Sequence, residues 1–322
     1  MKKKFSVLMT ALIIGMLTLA SSVSANPVTY HPSAVHKSGA IAYQHMKHLA
    51  YEIGPRVAGT ENERKAEQYI QGQFERIGLE TDVQEFTYGN SKSSSNLVSY
   101  KKGKSNKQII VGAHYDSVSV GRGVDDNASG VGVLLETAEV LKHIKTPYSI
   151  VFIAFGAEEA GLQGSKYYAD QMSEEEIANT VGMINLDSLA VGDQMYVYGG
   201  AEEEGFIRDQ ALAIAEKKKL DVETNPGLNP DYPAGTTGDW SDHAPFKTKG
   251  IPYGYLEATN WEIGYLDGYD QTVEHGGIWH TSNDNLEFIE GEYPGRVQAH
   301  LSTFSTLLTD LLKFMNKTDT SK

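Results

Sequence analysis

The chain has 322 residues, a formal charge of −14 and no cysteine. A chain of this length can bury an ample core, and the missing cysteine excludes disulfides and thiolate metal ligands. The acidic balance, with no basic run to offset it in the mature chain, excludes nucleic acid and anionic lipid as natural partners.

Residues 1–25 have the layout of a secretory signal. Lys2, Lys3 and Lys4 precede an apolar run over 5–20, and Val23, Ser24 and Ala25 form a small-residue site for cleavage after Ala25. The run is short for a membrane anchor. The mature protein is therefore expected to be secreted, free of the membrane and monomeric, with a loose polar arm over 26–37 before a catalytic domain over 38–322.

Within that domain a helix is expected over 38–51, then a turn at Gly54, Pro55 and Arg56. A stronger helix over 60–78 follows, where Thr60 and Glu63 have the spacing of a capping box and Gly78 marks the stop. Strands follow over 80–88, 96–101 and 108–113. Helices over 128–143, 162–171, 173–179 and 203–219 then alternate with strands over 148–156, 181–186 and 194–198. A helix over 241–249, a strand over 252–257, a long aromatic-rich loop over 260–285 and a closing helix over 294–316 complete the chain. The alternation predicts a single α/β domain whose central, mostly parallel mixed β-sheet carries helices on both faces.

Acids and imidazoles sit where the apolar runs end. His114 and Asp116 follow one run, Glu158 and Glu159 another and Asp187 a third. Asp125 and Asp126 open a small-residue turn, and His280 lies in the aromatic loop. Side chains delivered to the same ends of buried strands converge, and two histidines with several carboxylates suit zinc. Asp116 is placed to hold a metal-bound imidazole in one tautomer. Of the adjacent pair Glu158 and Glu159, one side chain can bind metal while the other faces a water, and the pattern leaves open which does which. Asp242, in Ser241-Asp242-His243, caps a helix in its plain reading and otherwise joins the pocket wall. Tyr253, Tyr255, Trp261, Tyr265, Tyr269 and Trp279 suggest an aromatic, apolar side-chain pocket.

The segments Ala-His-Tyr-Asp-Ser, Asp-Asp-Asn-Ala-Ser-Gly, Gly-Ala-Glu-Glu-Ala-Gly, Asn-Leu-Asp, Ser-Asp-His-Ala-Pro-Phe and Trp-His-Thr, in this order, resemble the motif series of the M28 peptidases, the exported bacterial aminopeptidases with two co-catalytic zinc ions. The resemblance reaches upstream to Gly54 and covers nearly all of the mature chain. It implies that His114, Asp125, Glu159, Asp187 and His280 hold two Zn²⁺, with Asp125 bridging, His114 and Asp187 on one ion, and Glu159 and His280 on the other. Glu158 would be the general base. Relatives often carry tyrosine where this chain has Trp279, so the group that steadies the oxyanion is open; Trp279 and Asp242 are the candidates. The implied reaction is hydrolysis of the first peptide bond of peptides with a free amino terminus and an apolar first residue. A glutaminyl cyclase using one zinc and a carboxypeptidase of the same fold are the alternatives, Arg122 being the main cation available to the latter. The acidic surface also offers oxygen donors for Ca²⁺.

Overall fold

The computed structural model describes residues 38–316. The expected signal segment and the arm lie outside the described residues, and no described helix is long and apolar enough to cross a membrane.

Seven strands form one sheet in the order β1-β2-β4-β3-β5-β7-β6. These are β1 (Thr81–Tyr88), β2 (Lys92–Lys101), β3 (Gln108–His114), β4 (Ser149–Phe155), β5 (Thr180–Leu186), β6 (Gln194–Gly199) and β7 (Tyr253–Thr259). The central strands β4, β3, β5 and β7 run parallel, as expected, whereas β1, β2 and β6 pair antiparallel at the two edges. From β3 the chain moves to β4 on one side and then to β5 on the other. The connections after these strands therefore part at β3, and a crevice opens at their carboxyl ends.

The central strands are buried almost throughout and mostly apolar because both of their faces are covered. In β3, Ile109, Val111 and Ala113 face the larger core, while Ile110 joins Val151, Ile153 and Phe155 on the other side. A two-residue period with every residue buried is the mark of a sheet sandwiched between helices. Each fully buried Ile, Val or Phe contributes about 1.5–3 kcal/mol.

The larger core is covered by α1 (Ala40–Lys47), α2 (Glu61–Arg76), α3 (Gly130–Leu141), α6 (Phe206–Lys218) and α9 (Arg296–Phe314). The smaller is covered by residues of α4 (Gln163–Gln171), α5 (Glu174–Asn179) and α7 (His243–Thr248). One further helix, α8 (Leu286–Glu292), lies between the expected loop and α9, where no element was expected. It has only seven residues and one buried position, too little for periodicity to reveal, although Asn285 caps it by accepting from the Phe288 N–H at 2.8 Å.

The capping box expected at α2 is only half formed. Thr60 accepts from Glu63 N, but the Glu63 carboxylate turns to Gly59 N (2.6 Å) and Ser94 Oγ (2.5 Å). Burial pushes the Glu63 carboxyl up to about 7. The reciprocal box occurs at α5, between Ser173 and Glu176.

Helix α1 takes its N-terminal partner from another helix. Glu136 of α3 accepts from the N–H groups of Gly39 and Ala42, both at 2.7 Å, meeting orphan donors that α1 cannot satisfy itself. The two helices come close enough for this because Gly132 has no side chain. A Cβ there would lie 2.4 Å from the Ala42 carbonyl oxygen, a backbone atom that cannot swing aside. Gly132→Ala should cost about 1–3 kcal/mol through overpacking, read as a lower midpoint in urea unfolding with an unchanged slope. An unchanged midpoint would show that the helices separate freely.

Candidate active site

Three strand ends and two loops build the site. His114 closes β3, Glu158 and Glu159 follow β4, and Asp187 follows β5. Asp125 and Asp126 lie in an irregular turn over 124–129, with non-helical backbone at Asp126 and Asn127, that enters α3, and His280 lies in the loop before α8. Ala157, Ser188 and His280 all have positive φ (54°, 53° and 56°), a conformation that costs non-glycine residues energy and here aims the neighbouring acids and the imidazole inward.

The carboxylate that lies between the two imidazoles is Asp126, not Asp125 as the resemblance implied. One Asp126 oxygen lies 3.1 Å from His114 Nε2 and the other 3.1 Å from His280 Nε2. His114 Nε2 also lies 3.3 Å from Asp187, and His280 Nε2 2.9 Å from Glu159. Two donor clusters thus share Asp126, with His114 and Asp187 in one and Glu159 and His280 in the other. Asp125 is excluded by its own hydrogen bonds: its Oδ1 accepts from Ala190 N (2.7 Å) and Val191 N (3.2 Å), and its Oδ2 accepts from Gln271 Nε2 (2.5 Å). Both oxygens face away from the imidazoles.

Asp125 instead ties the site's loops together. Through Ala190 and Val191 it holds the segment after Asp187. Through Gln271, whose Oε1 accepts from Ile278 N and Trp279 N, it holds the loop that carries His280. Asp284 completes the frame, accepting from the backbone N–H groups of Asp125 (2.7 Å) and Asp126 (3.3 Å). Burial pushes the Asp284 carboxyl up to about 7. Neither Gln271 nor Asp284 belongs to a motif, so neither was expected to act here.

Asp116 lies beside His114, where it was expected, and takes on a second task. Its carboxylate accepts from the backbone N–H groups of Glu158 (3.0 Å) and Glu159 (3.2 Å). His114 Nδ1 is 3.3 Å from the Asp116 main-chain oxygen and 3.6 Å from its carboxylate, which places a proton on Nδ1 and leaves Nε2 as the donor atom. Asp187 is oriented similarly, with one oxygen accepting from Ser241 Oγ at 2.7 Å and the other, which also accepts from Ser188 Oγ at 3.4 Å, facing His114 at 3.3 Å.

Arg56 was expected to sit in a simple turn, yet it is wholly buried. Its guanidinium donates only to backbone carbonyls, including those of Tyr115 (2.8 Å), Arg122 (3.1 Å) and Gly123 (2.8 Å). It thereby ties the segment after His114 to the turn that presents Asp126. Gly123 has φ 59°, and a Cβ there would lie 2.7 Å from the Arg56 guanidinium, so only glycine admits this packing. Burial lowers the Arg56 pKa to about 10, against the pull of Asp284, Asp116, Asp126 and Glu159, and it remains charged.

The cluster lacks positive charge. Burial, followed by the charge of neighbouring acids, pushes Glu159 upward, while Glu158 is raised mainly by burial despite the opposing pull of His114. Hydrogen bonds to Asp126 and Glu159 push His280 up to about 11. His114 is driven upward by Glu158 and Asp187 although burial opposes it. The donor set fits zinc: donors about 2.0–2.1 Å from a tetrahedral ion lie about 3.3 Å apart, and the spacings here run from 2.9 to 3.3 Å. Glu159 Oε1 is also buried without a hydrogen-bond partner.

A cavity of about 240 Å³ opens over these donors. Its walls include Trp240, Tyr255, Tyr269 and Trp279, so three of the expected aromatics are joined by an unexpected one, Trp240. Tyr253 and Trp261 are buried behind it, and Tyr265 is 85 % exposed to solvent. Asp242 is wholly buried and is not among the lining residues, which removes it as a direct contact to an oxyanion; burial pushes its carboxyl up to about 7.

The family description "Peptidase family M28" matches residues 96–305. The chain belongs to this family. The peptidase is 35% identical over 317 residues to the alkaline phosphatase isozyme conversion protein of Escherichia coli, a match covering 87% of this chain and 92% of that one. It is 34% identical to aminopeptidase YwaD of Bacillus subtilis over 63% of its own length and 42% of the relative's, so it spans less than half of that protein. Two solved structures share the fold at 21% identity. A zinc aminopeptidase from Bacillus subtilis has a TM-score of 0.72, covering 88% of this chain and 98% of the other. A glutaminyl cyclase from Porphyromonas gingivalis has a TM-score of 0.66, covering 87% and 99%. The family carries the enzyme class expected from the motifs, a zinc-dependent peptidase.

The exchange of neighbours is directly testable. Asp126→Asn should abolish zinc retention through dialysis, read by elemental analysis. Asp125→Asn should retain zinc while losing about 1–3 kcal/mol of stability, because its amide nitrogen cannot accept the hydrogen bonds that the oxygen does. The opposite pattern would restore Asp125 as the ligand.

Proposed function

We propose that the peptidase is an exported aminopeptidase that holds two zinc ions and releases the first residue of peptides with a free amino terminus. The observation that carries this reading is the Asp126 carboxylate, which offers one oxygen to each of two imidazole-carboxylate clusters. Zinc, when bound, lowers the pKa of water and polarises a carbonyl. His114, Asp126 and Asp187 would hold one ion, and Asp126, Glu159 and His280 the other. Export rests on the sequence of residues 1–25 alone.

Glu158 is the general base in this reading. It lines the cavity and its carboxylate is 4.0 Å from His114 Nε2, farther than the Asp126 and Asp187 oxygens, so it borders the donors rather than completing them. It accepts a proton from the attacking water as the water oxygen bonds to the peptide carbonyl carbon. The same carboxyl then gives that proton to the leaving nitrogen as the C–N bond breaks. Burial, which raises its affinity for a proton, suits both tasks.

The acidic cluster suits a substrate ammonium, and the aromatic walls suit a first residue with an apolar body. A terminal carboxylate finds no such welcome. Among the described residues no lysine or arginine lines the cavity, and Arg122, the candidate for a carboxypeptidase, lies over the Tyr51 ring at 5.1 Å.

Protein loaded with zinc should contain two ions per chain by elemental analysis, and Glu158→Gln should keep both while losing about 10²-fold or more in kcat. Glu159→Gln should lose metal instead. A single ion at saturation would favour the cyclase reading. Leu-p-nitroanilide should be cleaved and N-acetyl-Leu-p-nitroanilide left intact, since acetylation removes the charge and adds bulk. Equal rates on the two would replace the aminopeptidase with an amidase or endopeptidase.

A further inference from the structure

The cavity has one acid that serves neither as a metal donor nor as the general base in this reading. Glu257 belongs to β7, lines the cavity beside Trp240, Tyr255 and Tyr269, and is itself 1% exposed. Tyr198 Oη lies 2.9 Å from one of its oxygens and Tyr255 Oη 3.1 Å from the other. The direction of the first contact is fixed. The indole N–H of Trp261 can only donate, and it reaches Tyr198 Oη at 2.7 Å, so the Tyr198 hydroxyl hydrogen is free to point only at Glu257. The framework therefore presents Glu257 with two donors, while burial pushes its carboxyl up to about 8 although the Tyr198 hydroxyl pulls the other way.

A carboxyl so deeply buried stays neutral until a cation reaches it, and a cation at hydrogen-bond distance favours its ionised form. Among the described residues no lysine, arginine or histidine forms an ion pair with Glu257. Two hydroxyls occupy about half of the acceptor positions of its two oxygens. The cavity is the side from which a counter-charge can reach the rest, and its aromatic walls are of the kind that attract cations. Trp240 and Tyr269 lie with ring centroids 5.8 Å apart, and indole and phenol faces attract ammonium and guanidinium groups.

We propose that Glu257 is a specificity-determining residue of this cavity, selecting peptides whose first residue is lysine or arginine. The apolar stem of such a side chain packs along the aromatic walls while its cationic end meets the acid. This rests on the aminopeptidase reading and narrows its substrate class.

The test compares substrates that differ only in charge. kcat/KM is measured for the p-nitroanilides of lysine and norleucine, and of arginine and citrulline, with the zinc-loaded full chain and with Glu257→Gln. The unaltered enzyme should favour each cationic member by about tenfold or more, mainly through KM, because a charge-assisted hydrogen bond at a buried site is lost in the neutral partner. In Glu257→Gln the lysine and arginine substrates should fall to the level of their neutral counterparts, with norleucine unchanged. Norleucine cleaved as well as lysine by the unaltered enzyme overturns the inference and leaves the aminopeptidase reading standing. So does a Glu257→Gln enzyme that loses activity equally on both, since Glu257 would then be reading the α-ammonium or supporting the wall. Should Glu257→Gln fail to fold, the substrate ratios of the unaltered enzyme decide alone. No hydrolysis of any free aminoacyl anilide overturns both readings.

Discussion

Four carboxylates and two imidazoles meet in one cavity with no lysine or arginine among the residues that line it. Carboxylates this close repel one another, and without a counter-charge some must take up protons. The upward pressure on Glu158 and Glu159, and the drive of both histidines toward their cationic forms, are two aspects of the same deficit. The arrangement persists because each donor is fixed from behind. The sheet supplies three of them at strand ends, and backbone N–H groups, hydroxyls and one arginine hold the loops that supply the others.

Asp125 and Asp126 show how much depends on direction rather than on residue type. They are neighbours of identical chemistry, and both are buried. One looks out at two imidazoles and the other looks inward at two backbone N–H groups and an amide. The inward one lets Asp187 and His280, which are distant in the chain, be positioned by a common partner. Metal binding and loop placement are thus divided between adjacent residues, so neither carboxylate must serve both.

His114, Asp187 and the Glu158-Glu159 pair were legible because each follows an apolar run, and such runs end at the same side of a parallel sheet. The central strands were legible for the same reason. Asp125 and Asp126 were not separable, since no two- or 3.6-residue period passes through an irregular turn to say which acid faces in. Arg56 looked like part of a Gly-Pro turn because its partners are backbone carbonyls, which leave no mark on composition. Gln271 and Asp284 lie in a loop whose path no pattern predicts. Glu257 looked like the polar end of a strand, and only the arrangement of Tyr198, Tyr255 and Trp261 around it reveals its setting.

The hydrogen bonds that frame the site scarcely use the atoms that would touch metal. Arg56 holds carbonyl groups, Asp116 holds the N–H groups of Glu158 and Glu159, and Asp125 with Gln271 holds the loops on either side. Small domains that depend on a structural zinc collapse when it is withdrawn, because the ion is part of their core. This chain has a large apolar core and a frame closed by protein groups alone. Chelation should therefore act as a reversible switch on an intact fold, with the empty scaffold waiting, already shaped, for the ions to return.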